Sequence, residues 1–247
     1  MAISRAFDIL RCFTPSDPFL GLTDIAQRTG LPKATVSRIT STLEELGYLA
    51  RVQSMRKYRL GWGLLSLNYP LLSRLPIRQV VRPAMHALAT YAKANVNLAT
   101  LDRTSVVFVE SVRFDETHVT RPDIGASRPL LVGAIGPALL SGMPEAARTA
   151  ALNRLKVADS TAYASGLPRV ERARKSIAQK GYYVVADEFV RGLYSVATPM
   201  RVGPFDEPLA FNCVMSGPRP SKERIEKDIA PRLLAMVRQL ELQLAIN

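Results

Sequence analysis

Two cysteines and two histidines are all that the 247 residues contain, and that scarcity removes whole classes of chemistry. Cys12 and Cys213 lie far apart among apolar neighbours. Neither a disulfide framework nor any zinc-binding spacing fits them, so both are expected to be reduced core residues of a cytoplasmic protein. His86 and His118 belong to no recognisable motif, and there is no Gly-x-Ser-x-Gly nucleophile elbow. The adjacent acids Asp187 and Glu188 would point to opposite faces of a strand and could not converge on one substrate atom. An enzyme is therefore the weaker reading, and no metal or cofactor is implied. No run approaches the roughly 18 apolar residues of a membrane helix, and the N-terminus has no apolar signal core. No membrane partner is expected. Internal repeats and low-complexity segments are also missing.

What the chain has in excess is positive charge. Lys and Arg number 33 against 21 Asp and Glu, a formal net charge of +12, and the isoelectric point is near 10.1. Such a balance favours polyanionic partners, nucleic acid first. Residues 1–62 hold nine basic and five acidic residues, a net +4, which leaves +8 for the rest. Net charge alone thus singles out no face. The apolar share of 47% suffices for sizeable cores, and the length suits one or two domains.

The first sixty residues carry the most pattern. Ile3, Ala6, Phe7, Leu10 and Phe13 share one helical stripe before Thr14-Pro15-Ser16-Asp17-Pro18 interrupts it. A short helix is expected over 23–29, with Thr23 as N-cap, Ile25 and Ala26 inward, and Gly30 in the left-handed position that closes helices. Pro32 suits the start of a third helix over 32–46. Its apolar side would be Val36, Ile39, Leu43 and Leu46. The opposite side presents Ala34, Ser37, Arg38 and Ser41, with Lys33 and Thr35 near its start. Small, hydroxylated and basic side chains are what a helix lying in a major groove requires, because they allow close approach and reach base edges and phosphates. Glu44 and Glu45 stand at the far end. Two short strands, 48–52 and 57–60, read as a hairpin bearing Arg51, Arg56, Lys57 and Arg59, a wing for phosphate or minor-groove contact. Double-stranded DNA is the expected partner. The basic Arg172-Ala173-Arg174-Lys175 stretch with Lys180 raises RNA as an alternative, but no aromatic RNP-type signature or Gly-x-x-Gly loop accompanies it.

Leu22-Thr-Asp-Ile-Ala-Gln-Arg-Thr-Gly-Leu-Pro-Lys-Ala-Thr-Val-Ser-Arg38, Thr42-Leu-Glu-Glu-Leu-Gly-Tyr-Leu49 and Tyr58-Arg-Leu-Gly61 closely resemble the DNA-binding half of the IclR family. Gly125, Pro129-Leu130, Gly136 and Ala138-Leu139-Leu140 are similar to the glycine-rich segment of that family's effector domain. Gly181-Tyr182, Glu188, Gly192, Ser195-Val196-Ala197, Pro199 and Ser216-Gly217-Pro218 continue the likeness in family order. The chain departs from the family at Pro137, where a Lys is usual, and at Val185-Ala186, where an acidic pair is usual. Val214 stands where some members have a polar residue.

The α+β class and three parts follow: a winged helix-turn-helix over 1–61, a linker helix over 62–76, and a GAF-like α/β effector-binding domain over 77–247. The linker carries Trp62, Leu64, Leu65, Leu67, Leu71, Leu72 and Leu75, with Pro70 and Pro76 as punctuation. It could instead pack on its own domain; we favour the linker, contributing to a homodimer or a dimer of dimers. Beyond it the pattern gives helices over 78–93, 133–141, 168–180 and 221–245. Strands are expected over 96–101, 105–112, near 117–121, and over 182–186, 193–201 and 208–216, in a largely antiparallel sheet. The resemblance implies operator DNA and a small-molecule effector as partners. It puts effector contacts on Ala134, Ile135, Val185, Leu193, Ser195, Val214 and Ser216. The missing acidic pair tilts the effector towards an aromatic or branched carboxylic acid.

Overall fold

The computed structural model describes residues 2–246 apart from 74, 115–122, 188–190, 202–206 and 217–219, with the side chains of 76 and 246 also left out. The chain divides into two compact units, Met1–Leu75 and Pro76–Asn247.

The first unit packs α1 (Ala2–Arg11), α2 (Leu22–Thr29) and α3 (Lys33–Glu45) around Ile9, Phe13, Ile25, Val36 and Leu43, and closes with a β1 (Leu49–Val52)–β2 (Lys57–Leu60) hairpin. Leu20 bridges to Tyr58 along the hairpin edge. Gly30 has φ 69°, a backbone conformation that side-chain-bearing residues rarely adopt. Four local expectations are corrected. Thr23 is not the N-cap: α2 starts after Gly21, whose N–H donates to the Asp24 carboxylate at 2.9 Å, and Thr23 is an exposed first-turn residue. Ile3 and Phe7 lie outside the core, because α1 turns Ala6, Ile9 and Leu10 inward instead, with Phe13 buried just beyond its end. Leu46 caps α3 at 59% exposure. Its expected place is taken by Thr40, which is buried because its hydroxyl donates to the carbonyls of Val36 and Ser37. Cys12 is only half-buried.

Within the same unit α4 (Gly63–Ser73) contains Pro70 rather than ending at it, and none of its residues is buried. Leu65, Leu67, Tyr69 and Leu71 are all exposed, as is Trp62 just before the helix.

The second unit is a six-stranded antiparallel sheet in the order β5-β4-β3-β8-β7-β6. The strands are β3 (Asn95–Asp102), β4 (Ser105–Val112), β5 (Ser127–Pro129), β6 (Tyr183–Ala186), β7 (Leu193–Met200) and β8 (Leu209–Ser216). One face carries α6 (Ile135–Gly142), α7 (Glu145–Ala158) and α8 (Ser160–Lys180) around Ala99, Phe108, Leu130, Leu139 and Val170. Against the other lie α5 (Pro76–Ala92) and α9 (Ala230–Ile246), the latter entered through a π-helical stretch, Arg224–Ile229. On that face Arg78 meets the buried carboxylate of Glu110 at 3.0 Å. α6 reaches the sheet because residue 136 is glycine: a Cβ there would stand 1.8 Å from the Leu130 carbonyl oxygen.

Sequence reading missed α7 and β5 and started α8 too late. Pro168 lies inside that helix, whose true start is capped by the Asp159 carboxylate accepting from Ala162 N–H at 2.9 Å. The strand expected near 117–121 lies outside the described residues, as do His118 and Glu188. Asp187 is in a turn at φ 57° and not in a strand; its carboxylate accepts from Gly192 N–H and from the Tyr194 hydroxyl.

Candidate nucleic-acid interface and effector site

In the winged unit, burying Val36, Thr40 and Leu43 turns the other side of α3 outward. Lys33, Ala34, Ser37, Arg38 and Ser41 are exposed there, and Thr35 is half-buried. Neither Lys33 nor Arg38 has an ion-pair partner among the described residues. On the hairpin, Arg51 and Arg56 are likewise exposed and without such a partner, Arg56 at the left-handed turn position with φ 52°. Two other wing cations are partly committed. Lys57 stands 3.9 Å from the Asp24 carboxylate. Arg59 donates to its neighbour's carbonyl and lies 5.5 Å over the Trp62 ring. Arg28 is held by Asp17 at 3.0 Å and by the Cys12 carbonyl. α3 and the hairpin tip thus carry exposed cations without an ion-pair partner among the described residues, as do Arg5 and Arg11 of α1; only on α3 are they set among small and hydroxylated side chains. A surface of that kind can neutralise phosphates and lets small side chains approach a groove.

In the sheet unit, the strand register brings most of the expected effector positions together. Val185 pairs with Ser195, Ser195 with Val214, and Val214 with Asn95, a single row across β6, β7, β8 and β3. Leu193 and Ser216 form the next pair outward. Ala134, N-cap of α6, packs with Val185 in one cluster with Ala138, Ala173 and Ala197. Ile135 goes elsewhere, into the apolar cluster with Phe108 and Leu139. Ala134, Ile135 and Val185 are buried, so core packing occupies their side chains, whereas Leu193, Ser195 and Val214 are part-exposed and Ser216 is exposed.

One row inward lies a feature that sequence reading did not find. The Ser111 hydroxyl donates to Asn97 Oδ1 at 2.7 Å. Asn97 Nδ2 donates to Asn212 Oδ1 at 2.9 Å, and Asn212 Nδ2 to Ser195 Oγ at 3.0 Å. These four side chains form a one-way hydrogen-bonded ladder across β4, β3, β8 and β7. A serine hydroxyl holds one hydrogen, and Ser195 already accepts from Asn212, so its own O–H is left to donate outward from the end of the ladder. The alternation Asn95-Val96-Asn97 is the only local hint, and the partners at 111, 195 and 212 meet it only through the fold.

Cys213 shows no nucleophilic character: burial pushes its thiol up to about 12, which suppresses the reactive thiolate. Among the described residues no group of three or more metal-ligating side chains converges.

A winged helix-turn-helix whose third helix presents an exposed basic face, on the same chain as an α/β unit, has the make-up of a DNA-binding regulator. Comparison with known proteins says which kind. The IclR helix-turn-helix domain matches residues 2–53, and the C-terminal domain of bacterial IclR transcriptional regulators matches residues 70–242. The chain is 31% identical over 98% of its length, and 88% of the relative's, to the HTH-type transcriptional regulator TsaQ1/TsaQ2 of Comamonas testosteroni. The crystal structure of an IclR family regulator from Brucella abortus superposes with a TM-score of 0.83 at 40% identity, covering 98% of this chain and 92% of that one. The fold also matches an IclR homologue from Microbacterium hydrocarbonoxydans in complex with 4-hydroxybenzoate, with a TM-score of 0.75 at 20% identity over the full length of both chains. The chain belongs to the IclR family. It is a DNA-binding transcription regulator, as its relatives are, and not an enzyme.

Proposed function

We propose that the protein reads operator DNA with α3 and changes its operator affinity when a small carboxylic acid, aromatic or branched, occupies the patch around Ser195. The observation that carries the first half is the outward face of α3, exposed, basic and unpaired among the described residues. Lys33, Ala34, Thr35, Ser37, Arg38 and Ser41 contact bases and phosphates in the major groove. Arg51, Arg56 and Lys57 contact the backbone, and Thr23 meets a phosphate from the first turn of α2. One winged helix reads few base pairs, so a homodimer, or a dimer of dimers, binds a symmetric site. The exposed apolar residues around α4 supply a surface for that pairing, and residues 62–76 serve as the linker between DNA-binding (1–61) and effector-binding (77–247) parts. The site of action is the cytoplasm.

For the second half, the Ser195 hydroxyl meets a carboxylate or hydroxyl oxygen of the ligand. Leu193, Val214 and the edge of Val185 give apolar walls, and Ser216 lies at the rim. Ala134 and Ile135 contribute backbone N–H groups at the start of α6 rather than side chains. The absence of an acidic pair at Val185-Ala186 favours an aromatic or branched acid, and the 4-hydroxybenzoate held by the Microbacterium homologue is an aromatic acid. Such a ligand regulates only if it binds the DNA-competent and incompetent arrangements unequally.

The test is fluorescence anisotropy with a duplex selected from a random pool by the full-length protein, repeated across a panel of aromatic, branched and two-carbon acids. At least one aromatic or branched acid should shift operator affinity, and Ser195→Ala should remove the shift while leaving ligand-free affinity intact. Failure to enrich any duplex sinks the DNA half; enrichment without response to any acid sinks the effector half.

A further inference from the structure

A second cleft opens in the α/β unit, away from the Ser195 row. β6 pairs with β7 only as far as Tyr183 opposite Ala197, so the rest of β7 has no strand neighbour on that side among the described residues. There a cavity of about 260 Å³ lies between the end of α8, the end of β7 and α9. Its apolar walls are Ile177, Pro199, Leu234 and Val237, and its polar rim is Arg201, Arg238 and Glu241. The two arginines are exposed, and neither guanidinium has an ion-pair partner among the described residues. Glu241 is already engaged, because its carboxylate accepts the Arg201 backbone N–H. The protein thus sets one of its own carboxylates against this open strand edge and leaves two cations over an apolar hollow.

We infer that this cleft is a second ligand site, for a small monocarboxylate with an apolar body. The apolar walls reject a bare inorganic anion, which would lose hydration without replacement. The arginine pair rejects a neutral hydrocarbon, because a guanidinium recognises a carboxylate through paired N–H donors. A few convergent polar groups over apolar walls are the usual make-up of a small-molecule site. The inference is independent of the Ser195 patch, which faces α6 across the same strand.

The experiment is a titration of the full-length protein, methyl-labelled at Ile, Leu and Val, with benzoate, isovalerate and neutral benzamide. Ile177, Leu234 and Val237 report this cleft, and Val185, Leu193 and Val214 report the Ser195 patch. Benzoate or isovalerate should move the first group at millimolar concentration, and benzamide should not. Arg201→Gln with Arg238→Gln should weaken that response at least tenfold while leaving the thermal midpoint and the second group's response unchanged. The proposal is overturned if neither acid moves the first group, if benzamide moves it equally, or if the double substitution leaves the response intact. Loss of response in the second group alone would count against the effector patch and not against this cleft.

Discussion

Replacing Asn97 by alanine breaks the ladder that ends at Ser195, and the structure sets the size of the effect. Asn97 is 2% exposed. It accepts from Ser111 and donates to Asn212, so its truncation strands two groups at once. Asn212 is buried, and its Oδ1 would lose its donor; a buried group left unsatisfied costs about 1–3 kcal/mol. The void left by the amide adds about 1 kcal/mol. Ser111 is half-buried, and solvent can replace its acceptor. We therefore expect Asn97→Ala to destabilise the α/β unit by about 2–4 kcal/mol, and Ser111→Ala, which leaves the buried Asn97 Oδ1 without its donor but opens a smaller void, by about 1–3 kcal/mol. At roughly 2–4 °C per kcal/mol for a unit of this size, scanning calorimetry of the full-length protein should resolve both losses, with Asn97→Ala the larger. A third variant, Asn97→Asp, keeps the acceptor and loses the donor. Asn212 must then turn its amide round, Ser195 must donate inward, and acid binding at the patch should fall while the fold survives. If Asn97→Ala costs less than about 1 kcal/mol, or less than Ser111→Ala, the ladder is not a connected unit and the reasoning fails.

Other outcomes follow from single features. Arg38→Ala should lower specific operator affinity by about 1–3 kcal/mol and flatten sequence preference, whereas Arg56→Ala should weaken all duplexes alike and reduce the salt slope; mobility shifts at several salt concentrations distinguish the two. Leu65 and Leu71 are each 62% exposed, and burying a leucine contributes about 1.5–3 kcal/mol. Their joint replacement by serine should raise the dimer dissociation constant by roughly a hundredfold or more; unchanged sedimentation would remove α4 from the interface. The Cys213 thiol, pushed up from an ordinary value near 9 to about 12 by burial, ionises in the unfolded chain before it does in the folded one. Its contribution to stability is complete below pH 9 and is lost as pH rises towards 12, with a limiting slope of about 1.4 kcal/mol per pH unit. Cys213→Ala should flatten that slope in denaturation curves, and an unchanged slope would refute the assignment.

The winged half was legible because its signals are local. Gly30, the periodic Val36 and Leu43, and the hairpin strands each act within a few residues of where they are read. The errors there were also local. Gly21 capped by Asp24 outcompeted Thr23, and Thr40 could be buried because its hydroxyl finds carbonyls one turn back, which hydrophobic periodicity does not register. In the α/β half, β4 alternates cleanly and was found. Pro168 disguised the interior of α8 as its start. The effector positions came from family likeness, and the register placed Val185, Ser195 and Val214 side by side. Ile135 fell outside because the first turn of α6 rotates it onto Phe108. Beyond the Asn95-Val96-Asn97 alternation nothing local signals the ladder, since Asn97 and Asn212 are 115 positions apart and meet only when β3 pairs with β8.

The most direct measurement is hydroxyl-radical footprinting of the full-length protein on a duplex selected from a random pool. A dimer reading DNA through two copies of α3 should protect two related half-sites whose centres lie about 10.5 base pairs, or a whole multiple of that, apart on one face of the duplex. Arg38→Ala should lose both at once. A single asymmetric footprint, or two half-sites that persist undiminished in Arg38→Ala, would contradict the assignment of α3 as the reading helix of a symmetric regulator.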